Sequence, residues 1–224
     1  MPPQPADPIE RSLHDTAVSV VTGTMVDMAD VALFHPSLGV RPGVLDAAER
    51  LRRAGHHVLV VDQYNGLTFN DYDEADRYVE RLGFPELMRR AVTAVQDLPD
   101  GFIAAGFSNG GGMAEYVATQ RRCSGALLIS GALPVAMLGA AGWPRGLPAQ
   151  IHYTVGDPRR RQEWLDQLIS EIEAAGAAVE VFDYPGTGHL FTDASLPEEY
   201  DETATEQLWS RAVAFCDSPS SPSQ

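Results

Sequence analysis

Lysine is absent from this sequence: all 16 basic residues among its 224 are arginine. That absence removes whole classes of chemistry, because Schiff-base enzymes, pyridoxal phosphate enzymes and P-loop nucleotidases each place a lysine amine at their centre. Cysteine is scarce as well. Cys123 and Cys216 each sit at the edge of an apolar run, the usual place for buried free thiols, so a reducing, cytoplasmic setting is expected. Two separated cysteines cannot build a zinc cage, and none of the six histidines falls in an H-x-x-x-H or H-E-x-x-H spacing. No metal and no cofactor are expected.

Uninterrupted apolar runs of membrane length are missing too. The richest stretch, 125–142, is broken by Ser130, Gly131 and Pro134 and reads as strand then loop. The first fifteen residues carry Pro, Asp and Glu with no apolar centre, which is not the pattern of a secretory signal. A net charge of -15 and a pI of about 4.6 repel phosphate backbones and anionic lipid, so neither nucleic acid nor membrane is an expected partner. With 44% hydrophobic and 21% charged residues the chain can bury a core without staples. Its length suits a single domain, 1–216, as a monomer or homodimer, followed by a Ser- and Pro-rich tail, 217–224, expected to be disordered.

Short β-branched runs alternate with longer amphipathic segments, which predicts an α/β fold: a mostly parallel sheet with helices on both faces. Strands are predicted at 17–21, 31–34, 57–62, 102–106, 126–130, 151–155 and 179–184. Helices are predicted at 43–54, 73–82, 85–98, 110–119, 160–175 and 203–215.

Within this frame Gly106-Phe107-Ser108-Asn109-Gly110 follows a predicted strand and opens a predicted helix. That is the context of a nucleophile elbow, in which a sharp turn presents a serine and small neighbours let the backbone pass. A serine needs a base, and the base needs an orienting acid, in the chain order Ser, acid, His. Asp157 follows the strand ending near Val155, and His189 follows the next strand through a glycine-rich approach. Both fall at the carboxyl ends of parallel strands, where open sheets build their sites. Asp183 and Asp193 are the rival acids. Leu38, Tyr64, Phe107, Trp143 and Leu190 are candidate walls of a substrate pocket.

The landmarks Phe34-His35-Pro36-Ser37-Leu38-Gly39-Val40, Val61-Asp62-Gln63-Tyr64, the elbow, Gly156-Asp157 and Gly188-His189-Leu190-Phe191 together resemble the dienelactone hydrolase family of α/β-hydrolases. The resemblance implies a central sheet of about seven or eight strands and an oxyanion hole made by the backbone amides of Ser37 and Asn109. It also implies a small-molecule ester or lactone as substrate, cleaved through an acyl-enzyme intermediate. Three positions depart from the family's best-studied members. Ser108 stands where they carry a cysteine, Pro36 where they carry a glutamate, and Asp193 where they carry an arginine that grips a substrate carboxylate. These departures point to a serine-type carboxylesterase. A silent binding protein on the same fold, or a triad enzyme of another reaction such as perhydrolysis, are the alternatives.

Overall fold

The computed structural model describes residues 28–218, and the predicted strand at 17–21 lies outside them. Six parallel strands form one sheet: β1 (Asp30–Phe34), β2 (His57–Val61), β3 (Phe102–Phe107), β4 (Cys123–Ile129), β5 (Ala149–Thr154) and β6 (Val179–Tyr184), in the order β2-β1-β3-β4-β5-β6. The described sheet is therefore smaller than the seven or eight strands expected. β3 and β5 are buried at every residue, whereas the edge strands β2 and β6 keep several residues exposed or half-buried. A strand with helices against both faces is shut off from water along its length, so β3 is apolar throughout and the polar side chains of β5 are paired: His152 Nε2 lies 2.9 Å from Gln150 Oε1, and the Thr154 hydroxyl donates to the Gly188 carbonyl.

Among the described residues six α-helices cover the sheet: α1 (Pro42–Arg53), α2 (Tyr72–Leu82), α3 (Phe84–Ala94), α4 (Asn109–Gln120), α5 (Gln162–Ala174) and α6 (Glu202–Asp217). Their starts follow local chemistry. Pro42 opens α1, where its missing N–H and fixed φ cost nothing, and the carboxylates of Asp71 and Asp201 accept the Glu74 and Ala204 amides at 2.9 and 2.8 Å to cap α2 and α6. Asp217, expected in the tail, instead closes α6, and the rest of that tail from 219 onward lies outside the described residues.

Alternation along the strands splits the core in two. Val31, Leu33, Ile103, Ala105 and Phe107 face α1 and α6, meeting Leu51, Leu208 and Trp209. Ala32, Phe34, Phe102 and Ala104 face the other way, meeting Leu87, Met113, Val117 and Leu168. Removing any one large side chain here costs about 2–5 kcal/mol, because a close-packed interior relaxes only partly around the void.

The strand order decides where a site can form. The chain steps from β1 outward to β2, then returns to the other side of β1 to lay down β3 and the rest. Loops leaving β1 and β3 at their carboxyl ends therefore diverge, and the crevice between them is the place such sheets offer to ligands.

Candidate active site

Ser108 makes the turn from β3 to α4 alone, at φ 52° and ψ −118°. This backbone costs about 1–3 kcal/mol for a residue with a Cβ, and fixed hydrogen bonds hold it. Its N–H donates to the Ile129 carbonyl and its own carbonyl accepts from Gly111, both at 2.8 Å. The flanking glycines are required by contact. A Cβ on Gly106 would overlap the Gly110 carbonyl, and one on Gly110 would stand 2.5 Å from the His35 carbonyl. The serine side chain is thereby held at the rim beside the crevice.

His189 joins the groups. Its Nε2 lies 2.7 Å from Ser108 Oγ, and its Nδ1 lies 2.8 and 3.0 Å from the two carboxylate oxygens of Asp157. A carboxylate can only accept, so Nδ1 carries the hydrogen and the Nε2 lone pair faces the serine hydroxyl. Asp157 Oδ1 also accepts the Arg159 amide at 2.8 Å, which fixes the carboxylate in its loop. The Thr154 hydroxyl, at the end of β5, donates to the Gly188 carbonyl at 2.8 Å and ties the histidine loop to the sheet. Both residues are almost fully buried, Asp157 at 6% and His189 at 3% exposure.

The rival acids are occupied elsewhere. Asp183 is exposed and pairs with Arg160 at 2.5 Å, while Asp193 is buried beside Arg41 at 3.6 Å and accepts from the amide and hydroxyl of Ser195.

Ser37 lies in the loop after β1, and Asn109 is the first residue of α4. Neither amide donates to a backbone carbonyl in a turn, loop or cap among the described residues. His35 stiffens the loop: its Nδ1–H donates to the Pro36 carbonyl at 2.7 Å and its Nε2 accepts the Gln63 amide at 3.1 Å. Burial depresses the pKa of His35, opposed by the Pro36 carbonyl and the nearby Asp62, so this ring stays neutral and bridges the loops after β1 and β2.

The five candidate wall residues separate. The Tyr64 ring packs edge-on against His35 at 4.4 Å, and its buried hydroxyl lies beside the Asn109 side chain; burial pushes the hydroxyl's pKa up and that amide draws it partly back. Leu38 and Leu190 are buried in loops next to Ser37 and His189. Phe107 shares the α1 and α6 side of the core with Leu38 and Leu190, and its ring stands edge-on to Trp209 at 6.4 Å. Trp143 is misplaced as a pocket wall: its indole N–H donates to the Leu147 carbonyl at 2.8 Å, ahead of β5 and so at the amino end of the sheet. Leu147 lines a cavity of about 1210 Å³ there, together with Arg121, Cys123 and Cys216, and among the described residues Ser108, Asp157 and His189 are not in its lining. A smaller cavity, about 370 Å³, opens beside Asp157 between Val155, Arg160 and Asp183.

Three residues around His189 carry no motif in the sequence. The Tyr72 ring stands edge-on to the imidazole at 6.0 Å, and its hydroxyl donates to Glu199 at 2.9 Å. Burial and the Glu199 charge both push the pKa of that hydroxyl up, which keeps it a donor. Glu199 also accepts the Leu190 amide at 2.6 Å, and the Arg159 guanidinium lies 4.3 Å from the centre of the Tyr72 ring.

A parallel sheet with this switch point and a serine elbow facing a carboxylate-backed histidine defines an α/β-hydrolase. The model of the dienelactone hydrolase family matches residues 17–218, and the chain belongs to that family. It is a hydrolase acting on ester bonds. Solved structures of the same fold include a dienelactone hydrolase-like promiscuous phosphotriesterase from metagenomic libraries, at 20% identity and a TM-score of 0.73 over 87% of this chain and 88% of that one. A dienelactone hydrolase from Anabaena variabilis aligns at 21% identity and a TM-score of 0.57 over 84% and 86%. The mouse alpha/beta hydrolase domain-containing protein 10 aligns at 12% and 0.62 over 85% and 90%. No curated protein matches the sequence.

Proposed function

We propose that this chain is a serine carboxylesterase in which Ser108 is the nucleophile, His189 the general base and Asp157 the acid that orients it. The observation that carries this reading is the unbroken line Ser108 Oγ, His189, Asp157, at 2.7 and 2.8 Å, with the serine held in a strained turn beside the crevice.

His189 Nε2 takes the hydroxyl proton as Oγ attacks the ester carbonyl carbon, and the imidazolium that forms is stabilised by Asp157. The carbonyl oxygen becomes an oxyanion, for which the Ser37 and Asn109 amides are the proposed donors. Collapse expels the alcohol, protonated by His189, and leaves the acyl group on Ser108. Water, deprotonated by the same histidine, then attacks and frees the acid.

Neutral esters fit the surroundings better than esters bearing a free carboxylate. Four residues past His189 stands Asp193, paired with Arg41, so no cation is offered from that position. The test is hydrolysis of p-nitrophenyl esters with a serine-reactive phosphonate as covalent probe. Ser108→Ala is expected to cut kcat by about a million-fold and to abolish labelling, because the members of a triad act as a unit. A folded Ser108→Ala protein that keeps most of its turnover sinks the assignment.

A further inference from the structure

Arg41 lies outside the reacting groups, yet its residue is only 9% exposed, unusual for an arginine. Its fork reaches two other loops. Nη1 donates to the Phe69 carbonyl and to Asn70 Oδ1, both at 2.8 Å, in the segment between β2 and α2. Nη2 donates to the Ser195 hydroxyl at 3.1 Å, and Nε lies 3.6 Å from Asp193, both in the segment after His189. Arg41 itself ends the segment after β1, its amide donating to the Gly39 carbonyl at 2.9 Å.

We infer that Arg41 is a positioning residue for the oxyanion hole, holding the Ser37 amide in register with His189. The inference rests on the proposed triad mechanism. Residues 35–41 form neither helix nor regular strand, so nothing periodic fixes the Ser37 amide. Backbone bonds tie this loop to the one after β2: the Phe69 amide donates to the Leu38 carbonyl at 2.9 Å, and Gly39 pairs with Thr68. The polar tie from this loop to the histidine segment is the Arg41 side chain. Its anchor there is stiff, because Asp193 already holds the Ser195 amide at 2.9 Å and the Ser195 hydroxyl at 2.6 Å. An oxyanion donor works only when held within about 0.5 Å of its productive place. A planar guanidinium holds acceptors on two sides in one fixed geometry, which the compact, freely rotating ammonium of a lysine does not reproduce.

The experiment measures kcat, KM and the pH profile of p-nitrophenyl ester hydrolysis for the full chain and for Arg41→Ala, Arg41→Lys, Asn70→Ala and Ser195→Ala. Arg41→Ala is expected to lose about 100-fold in kcat with KM within about threefold of the original, the signature of a contact felt in the transition state. The ascending limb of the pH profile should stay where it is, since the His189 and Asp157 contacts do not involve Arg41. Guanidinium at tens of millimolar, on the order of 50 mM, should return at least about tenfold of the lost kcat to Arg41→Ala, and Arg41→Lys should stay low. If Arg41→Ala does not fold, Asn70→Ala and Ser195→Ala decide, the first removing one of the two acceptors of Nη1 and the second the acceptor of Nη2. They are expected to lower kcat by about three- to tenfold with KM steady. An unchanged kcat in folded Arg41→Ala, or in both single-arm variants, overturns the inference, as does a loss that appears in KM or a displaced pH limb. Ser108-dependent turnover in the parent protein separates this failure from that of the triad, which would show as hydrolysis persisting in Ser108→Ala.

Discussion

Replacing Asp157 by asparagine tests the reading most sharply, because the structure dictates how the new side chain must sit. Oδ1 accepts the Arg159 amide at 2.8 Å, so the asparagine carbonyl stays there and its NH₂ takes the place of Oδ2, 2.8 Å from His189 Nδ1. Two N–H groups cannot face one another at that distance. The carbonyl left at the Oδ1 position, 3.0 Å from Nδ1, is the farther neighbour and already holds the Arg159 amide, so the imidazole shifts its hydrogen to Nε2, 2.7 Å from Ser108 Oγ, and the lone pair that should receive the serine proton is gone. A wrong tautomer of this kind costs about 10⁴ in kcat, or roughly 5 kcal/mol at about 1.4 kcal/mol per factor of ten. Shape and volume are nearly kept, so the fold should survive. The assay is steady-state hydrolysis of a short-chain p-nitrophenyl ester, with thermal unfolding of the same sample as the control for folding. The loss should fall on kcat and leave KM close to its starting value. A folded Asp157→Asn protein with kcat within about tenfold of the parent would refute the claim that Asp157 sets the tautomer of His189.

Two further substitutions probe the scaffold. Gly110→Ala drives a Cβ to 2.5 Å from the His35 carbonyl, so the elbow must shift; a stability loss of about 1–3 kcal/mol is expected, visible as a fall of several degrees in Tm, and an unchanged Tm would contradict it. Glu115 is fully buried in α4, where desolvation raises its pKa well above the ordinary 4.5; the Leu133 amide opposes the shift at 3.0 Å and the Glu171 charge adds to it. A raised folded-state pKa means that stability is complete below about pH 4.5 and is lost as pH climbs toward the folded value. Glu115→Gln keeps the acceptor for Leu133 and removes the titration, so its Tm should gain on that of the parent as pH rises above about 4.5. A difference independent of pH in a thermal melt series would show that Glu115 is not buried neutral.

Much of this molecule is short-range in origin and could be read along the chain. Strand runs such as Phe102-Ile103-Ala104-Ala105 announce themselves because a strand buried on both faces favours apolar residues at every position, and the expected and observed boundaries of β1, β3 and β6 agree within a residue or so. The elbow is legible for the same reason, since the turn at Ser108 makes demands only on residues two positions away. Parallel strands also send their carboxyl ends to one rim, which brings Ser108, Asp157 and His189 to a common edge. Which acid meets the histidine is another matter. Asp157, Asp183 and Asp193 all carry a carboxylate near that rim, and only the packed loops send Asp183 to Arg160 and Asp193 to Arg41. Trp143 shows the converse error, because an aromatic residue in an apolar stretch carries no mark of which end of the sheet it will occupy, and its indole went to Leu147. Tyr72, Glu199 and Arg41 left no local trace either. Tyr72 finds Glu199 across 127 residues and Arg41 finds Ser195 across 154, contacts between segments whose paths are set by the order β2-β1-β3 and by no pattern of their own. Periodicity and turn chemistry act over a few residues, whereas the ties that hold loop to loop exist only once the sheet has been assembled beneath them.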